Sequence, residues 1–107
     1  MKIVAAADHG GFEMKNQIVE DLRKQGFAVE DLGTNSADSV DYPDFAEKAT
    51  AKVLAGQADL GILVCGTGIG ISIAANRHKG IRAAILYDDY VAKVAREHNN
   101  ANVLCFG

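Results

Sequence analysis

Two periods of apolar residues alternate along the chain. Residues 2–7 (Lys-Ile-Val-Ala-Ala-Ala) form a short apolar run, the pattern of a buried strand. Over residues 11–25, Met14, Ile18 and Leu22 recur at spacing four. That spacing predicts a helix with those side chains on its inner stripe and Gly26 at its C′ position. Residues 27–32 alternate with more polar members and predict an edge strand, and residues 33–41 are small and acidic, as in a loop. Pro43 suits the first position of a second helix, with Asp44 in its first turn, Phe45, Ala49 and Val53 on one face, and Gly56 as its stop. Residues 59–64 are the most apolar strand and predict a central position. The helix that follows, reaching Asn76, has apolar residues on more than one side and should pack on several faces. Residues 81–86 read as a fourth strand. Asp88 or Asp89 can cap a fourth helix with Val91, Val94 and Ala95 inward, and Asn102–Phe106 reads as a fifth strand.

Strands and helices in strict alternation imply an α/β fold. We expect a three-layer, doubly wound (Rossmann-like) parallel sheet of five strands in the order 2-1-3-4-5, forming one domain over residues 1–107. Gly107 directly follows a strand, with no helix after it to cover the sheet. The expectation is a domain truncated at its C-terminus, its last helix missing.

Composition narrows the function. The chain has 107 residues, 49% hydrophobic and 23% charged, with a formal net charge of −3. Those proportions exclude disorder. Without a Lys/Arg run, nucleic acid is not an expected partner, whereas a small anion remains compatible because local backbone donors outweigh a small net charge. No apolar run approaches a membrane span, and the N-terminus lacks a signal-peptide layout, so a cytoplasmic location is the expectation. Cys65 and Cys105 form neither a Cys-x-x-Cys pair nor a zinc spacing, which predicts free thiols and no metal.

In a sheet of this order the ligand site lies where strand order reverses, beyond the carboxyl ends of the first and third strands. The residues there are Asp8-His9-Gly10-Gly11 and Cys65-Gly66-Thr67-Gly68-Ile69-Gly70. The glycine loop opens a helix, so its N–H groups and the helix N-terminus can hold a phosphate, a carboxylate or an oxyanion. It can equally be a tight strand–helix turn. It is neither a dinucleotide fingerprint nor a P-loop. Cys65 reads as a base or nucleophile at a helix N-terminus, or as a small buried hydrophobe. Asp8 reads as a site carboxylate or a helix cap. His98 falls on the inner stripe of the fourth helix, as a site residue or as a histidine satisfied at a helix C-terminus.

Taken together, Ala7-Asp8-His9-Gly10-Gly11, Asp41-Tyr42-Pro43, the segment Cys65–Asn76, Gly80-Ile81-Arg82-Ala83 and His98–Val103 resemble the type B ribose-5-phosphate isomerases. That family also holds galactose-6-phosphate isomerase subunits, which usually lack the cysteine loop. The resemblance spans the whole chain. It implies interconversion of D-ribose 5-phosphate and D-ribulose 5-phosphate through a cis-enediolate in the non-oxidative pentose phosphate pathway, with no cofactor and no metal. It implies Cys65 as general base and Thr67 with the N–H groups of Gly66, Gly68, Ile69 and Gly70 as the anion hole. His98, helped by Asp8, would open the sugar ring, and His9, Tyr42 and Asn99 would contact sugar or phosphate. It further implies a homodimer, or a dimer of such dimers, with His98 and Asn99 reaching the neighbour's Cys65 pocket. Family members usually run on into a C-terminal helix whose arginines grip the phosphate, and those positions lie beyond Gly107. Two alternatives remain open from the sequence. One is an isomerase for allose 6-phosphate or galactose 6-phosphate. The other is a non-catalytic nucleotide or sugar-phosphate binding module in which Asp31 holds a ribose hydroxyl.

Overall fold

The alternation resolves into nine elements: β1 (Lys2–Ala7), α1 (Phe12–Lys24), β2 (Ala28–Asp31), α2 (Tyr42–Leu54), β3 (Leu60–Val64), α3 (Ile69–Asn76), β4 (Ala83–Ile85), α4 (Asp89–Glu97) and β5 (Val103–Phe106). They are described here by a computed structural model covering all 107 residues. The sheet is entirely parallel, as expected.

Its order is β2-β1-β3-β5-β4, which corrects the expected 2-1-3-4-5 at one end. β5 sits beside β3, and β4 is the edge. The cause lies in burial. Gly61 and Leu63 of β3 pair with Val103 and Cys105 of β5. Val103 and Cys105 are completely buried, whereas all three residues of β4 are only half-buried, which suits a short edge strand. The order still reverses between β1 and β3.

One face of the sheet packs Val4, Ala6, Leu63 and Val103 against Phe45, Ala46 and Ala49 of α2 and Ile71 and Ala75 of α3. The other packs Ile3, Ala5, Ala7, Ile62 and Val64 against Val19, Ile18 and Leu22 of α1. Right-handed crossovers bring α4 to the α1 side. There Met14 of α1 and Ala92 of α4 line one groove with Phe106.

Two helix faces differ from the periodic expectation. In α1 the fully inward positions are Lys15 and Val19, while Met14 is 43% exposed. Lys15 turns inward because it finds acceptors in the side chains of Asp31 and Asn35. In α3 only Ile71, Ser72 and Ala75 are buried, and Ile69 and Ile73, one turn apart, face outward instead of packing on several sides. Asp88, rather than Asp89, caps α4: its Oδ1 accepts the Val91 N–H at 2.7 Å.

Candidate active site at the switch point

The loops after β1 and β3 meet, as the strand reversal requires. The Asp8 N–H donates to the Val64 carbonyl at 3.2 Å. A Cβ on Gly11 would lie 2.5 Å from the Val64 carbonyl group, and one on Gly10 would lie 3.4 Å from the Gly66 nitrogen. Only glycine allows this approach. Asp8 is buried, and its Oδ1 accepts the Gly10 N–H at 2.9 Å. It therefore shapes the β1–α1 loop and does not cap α1, whose N-cap is Gly11 without a side-chain bond.

Cys65 is 6% exposed at the end of β3, and its N–H donates to the Phe106 carbonyl at 3.2 Å. The chain then turns through Gly68, whose φ of +77° is the left-handed region that glycine adopts without strain. This turn aims the Gly68 N–H at the Cys65 Sγ, 3.1 Å away. The Thr67 Oγ1 accepts the Ile69 N–H at 3.2 Å. The N–H groups of Gly66, Thr67 and Gly70 donate to no group of the chain. Donors without a partner in the chain therefore lie in the loop that joins a thiol to the N-terminus of α3, a placement suited to stabilising negative charge.

Other predicted residues surround this centre. His9 is exposed, and its Nδ1 accepts the Val40 N–H at 3.2 Å, which ties it to the loop ahead of α2. Tyr42, the first residue of α2, lies over Gly70, where a Cβ would meet its ring at 2.9 Å. Thr67 lines an open groove of about 480 Å³ with Met14, Tyr87, Asp88 and Gly107. The adjacency of Phe106 and Gly107 to the cysteine loop follows from the β3–β5 pairing and was outside the expected strand order.

His98 and Asn99 stand elsewhere. Both follow α4, whose C-terminus lies at the amino edge of the sheet. The Asn99 carbonyl accepts from Arg82 Nε at 2.8 Å, and neighbouring Asn100 shares a groove with Met1, Asp59 and Leu60. Cys65 is at the opposite edge, the length of five-residue β3 away, roughly 17 Å. Within one chain, neither His98 nor Asn99 joins Asp8 or Cys65. His98 is exposed rather than buried on the inner stripe.

One oxygen of Asp31 is committed to the fold. Its Oδ1 accepts from Lys15 Nζ at 2.6 Å and from the Gly33 N–H at 2.9 Å. The second thiol, Cys105, is pushed up to about 12 by burial, with a smaller contribution from neighbouring Cys65. It stays protonated at neutral pH.

The profile of the Ribose/Galactose Isomerase family matches residues 3–107. The chain is 48% identical over 106 residues to ribose-5-phosphate isomerase B of Escherichia coli (strain K12), covering 99% of this chain and 71% of that one. Among solved structures, ribose-5-phosphate isomerase B of Clostridium thermocellum superposes with a TM-score of 0.98 at 51% identity, over 100% of this chain and 72% of the other. The type B ribose 5-phosphate isomerase of Trypanosoma brucei gives a TM-score of 0.94 at 50% identity, over 99% and 72%.

Proposed function

The chain belongs to the ribose/galactose isomerase family and is a sugar phosphate isomerase, and from that premise we propose that it interconverts D-ribose 5-phosphate and D-ribulose 5-phosphate. The observation that carries the proposal is the Gly68 N–H directed at the Cys65 Sγ at 3.1 Å, amid unpaired N–H groups. A thiolate accepts such a bond more strongly than a thiol does.

The steps follow from that placement. The Cys65 thiolate takes the proton from C2 of the open-chain aldose. The electron pair moves into a C1–C2 double bond, and negative charge collects on the carbonyl oxygen to give a cis-enediolate. The donors of the 66–70 loop hold that oxygen. Preorganised donors at developing oxyanions are worth roughly 3–4 kcal/mol each in comparable sites. The C2 hydroxyl proton then passes to the C1 oxygen, the charge left on the C2 oxygen collapses to the ketone, and the C1–C2 electron pair takes the proton back from the Cys65 thiol at C1, which restores the thiolate. One group serves both carbons because they are adjacent. Of the four family donors, the Gly68 and Ile69 N–H groups are engaged by Sγ and Thr67, so Gly66 and Gly70, with the Thr67 N–H, have donors to spare.

Ring opening needs a proton donor and acceptor at the ring oxygen and anomeric hydroxyl. His98 takes this role with Asp8, His98 coming from a second copy because it lies at the far edge of its own sheet. Asn99 travels with it. His9 and Tyr42 contact sugar or phosphate from the same chain as Cys65. A homodimer with shared sites fits the outward-facing Ile69 and Ile73 on the helix that starts at the cysteine loop. The reaction calls on no metal or cofactor and fits a cytoplasmic setting, where the thiol stays reduced.

Replacing Cys65 tests the assignment. We expect Cys65→Ser to lower kcat by about 10²–10⁴-fold while ribose 5-phosphate still binds. Wild-type turnover in that variant overturns the role of Cys65.

A further inference from the structure

Lys15 is the one ammonium buried to zero exposure, and the chemistry above does not use it. It lies in the first turns of α1, and its Nζ donates to Asp31 Oδ1 at 2.6 Å and to Asn35 Oδ1 at 2.7 Å. An unpaired ammonium at such a site is costly, so the two acceptors are held to it strongly. Both belong to the segment that leaves β2. That segment is fastened a second time by the carboxyl end of β1: the Ala7 N–H donates to the Gly33 carbonyl and the Thr34 N–H to the Ala7 carbonyl, each at 2.8 Å. Beyond Asn35 the loop returns to the site, where the Val40 N–H meets His9 Nδ1 at 3.2 Å.

This last bond decides the state of His9. A nitrogen that accepts an N–H must present its lone pair, so the ring proton of neutral His9 lies on Nε2. We propose that Lys15 is a positioning residue: its buried ammonium anchors the 31–40 loop, which holds Val40 against His9 and fixes the imidazole as the Nε2–H tautomer, a hydrogen-bond donor for an oxygen of the substrate's sugar or phosphate. The proposal rests on the reading of His9 as a substrate contact, but its structural half stands on the tautomer alone.

The test uses protein labelled with ¹⁵N in histidine. In the wild type the His9 Nδ1 should show the shift of an unprotonated acceptor and Nε2 that of a protonated nitrogen at neutral pH. Lys15→Met should collapse this asymmetry toward the averaged shifts of a free imidazole and raise KM for ribose 5-phosphate about threefold to tenfold, with a smaller change in kcat. Asn35→Ala, which removes one acceptor without stranding a buried charge, should move both readouts the same way and supplies the answer where Lys15→Met does not fold. Restoration of the asymmetry in Lys15→Arg would support the anchoring role. A wild-type His9 that is averaged or carries its proton on Nδ1 overturns the proposal, as does a folded Lys15 or Asn35 variant with unchanged His9 nitrogens. A wild-type tautomer as predicted, with no shift of Nε2 on adding ribose 5-phosphate, would instead overturn the substrate contact.

Discussion

The two thiols show how position divides one residue type into two roles. Cys65 ends a strand beside a turn that points N–H groups at it. Cys105 lies inside a strand, with its thiol pushed from 9.0 to about 12. Unfolding exposes Cys105, so above about pH 9 the unfolded chain loses a proton that the native chain keeps until about pH 12. The contribution to stability is full below pH 9 and falls as pH rises through that window, by at most about 4 kcal/mol. Urea midpoints measured across the window should decline more steeply for the wild type than for Cys105→Val, and identical slopes would contradict the burial argument. The turn at the cysteine loop was legible because glycines after an apolar strand permit close backbone approach, whereas residue type alone left open whether Cys65 serves chemistry or packing. The Val40–His9 bond was not legible, since a backbone donor from a distant loop leaves no mark in residue type.

At the scale of elements, the glycines separate packing from chemistry. Gly11 abuts the end of β3 with no room for a methyl, whereas nothing lies within 4 Å of a Cβ on Gly66. Gly11→Ala should cost about 1–3 kcal/mol and lower the melting temperature by roughly 5–15 °C. Gly66→Ala should leave the melting temperature within a few degrees but lower kcat/KM, because its methyl enters the space beside the unpaired donors. Calorimetry with steady-state kinetics checks both, and an inactive Gly11→Ala with an unchanged melting temperature would reverse the assignment. Element identity was readable from periodicity, since strands with period two and helices near 3.6 leave different patterns. The places of β4 and β5 were not, because two short apolar strands offer the same pattern to either position. The pairing that places β5 joins Gly61 to Val103, 42 residues apart in sequence, and no local pattern encodes it. Lys15 misled for a related reason: a charged residue reads as outward until its partners, Asp31 and Asn35, are brought to it by the fold.

At the scale of the whole molecule, the sheet places Cys65 and His98 on opposite edges, so a site using both must be shared between copies. In a two-fold dimer of Cys65→Ala with His98→Ala subunits, one site carries both lesions and the other carries neither. Each variant alone should be inactive. Equal mixtures, unfolded and refolded together, should regain about a quarter of wild-type activity, since half the dimers are mixed and each has one intact site. No regain from two inactive variants would contradict a site shared between copies, and an active His98→Ala would place His98 outside the reaction. The central claim is proton transfer by Cys65, and it is tested most directly by proton NMR of D-ribose 5-phosphate in heavy water. The protein should form D-ribulose 5-phosphate, replace the C2 proton of ribose 5-phosphate with deuterium, and lose both activities in Cys65→Ala. Undiminished exchange and turnover without the thiol, or neither with it, would contradict the account.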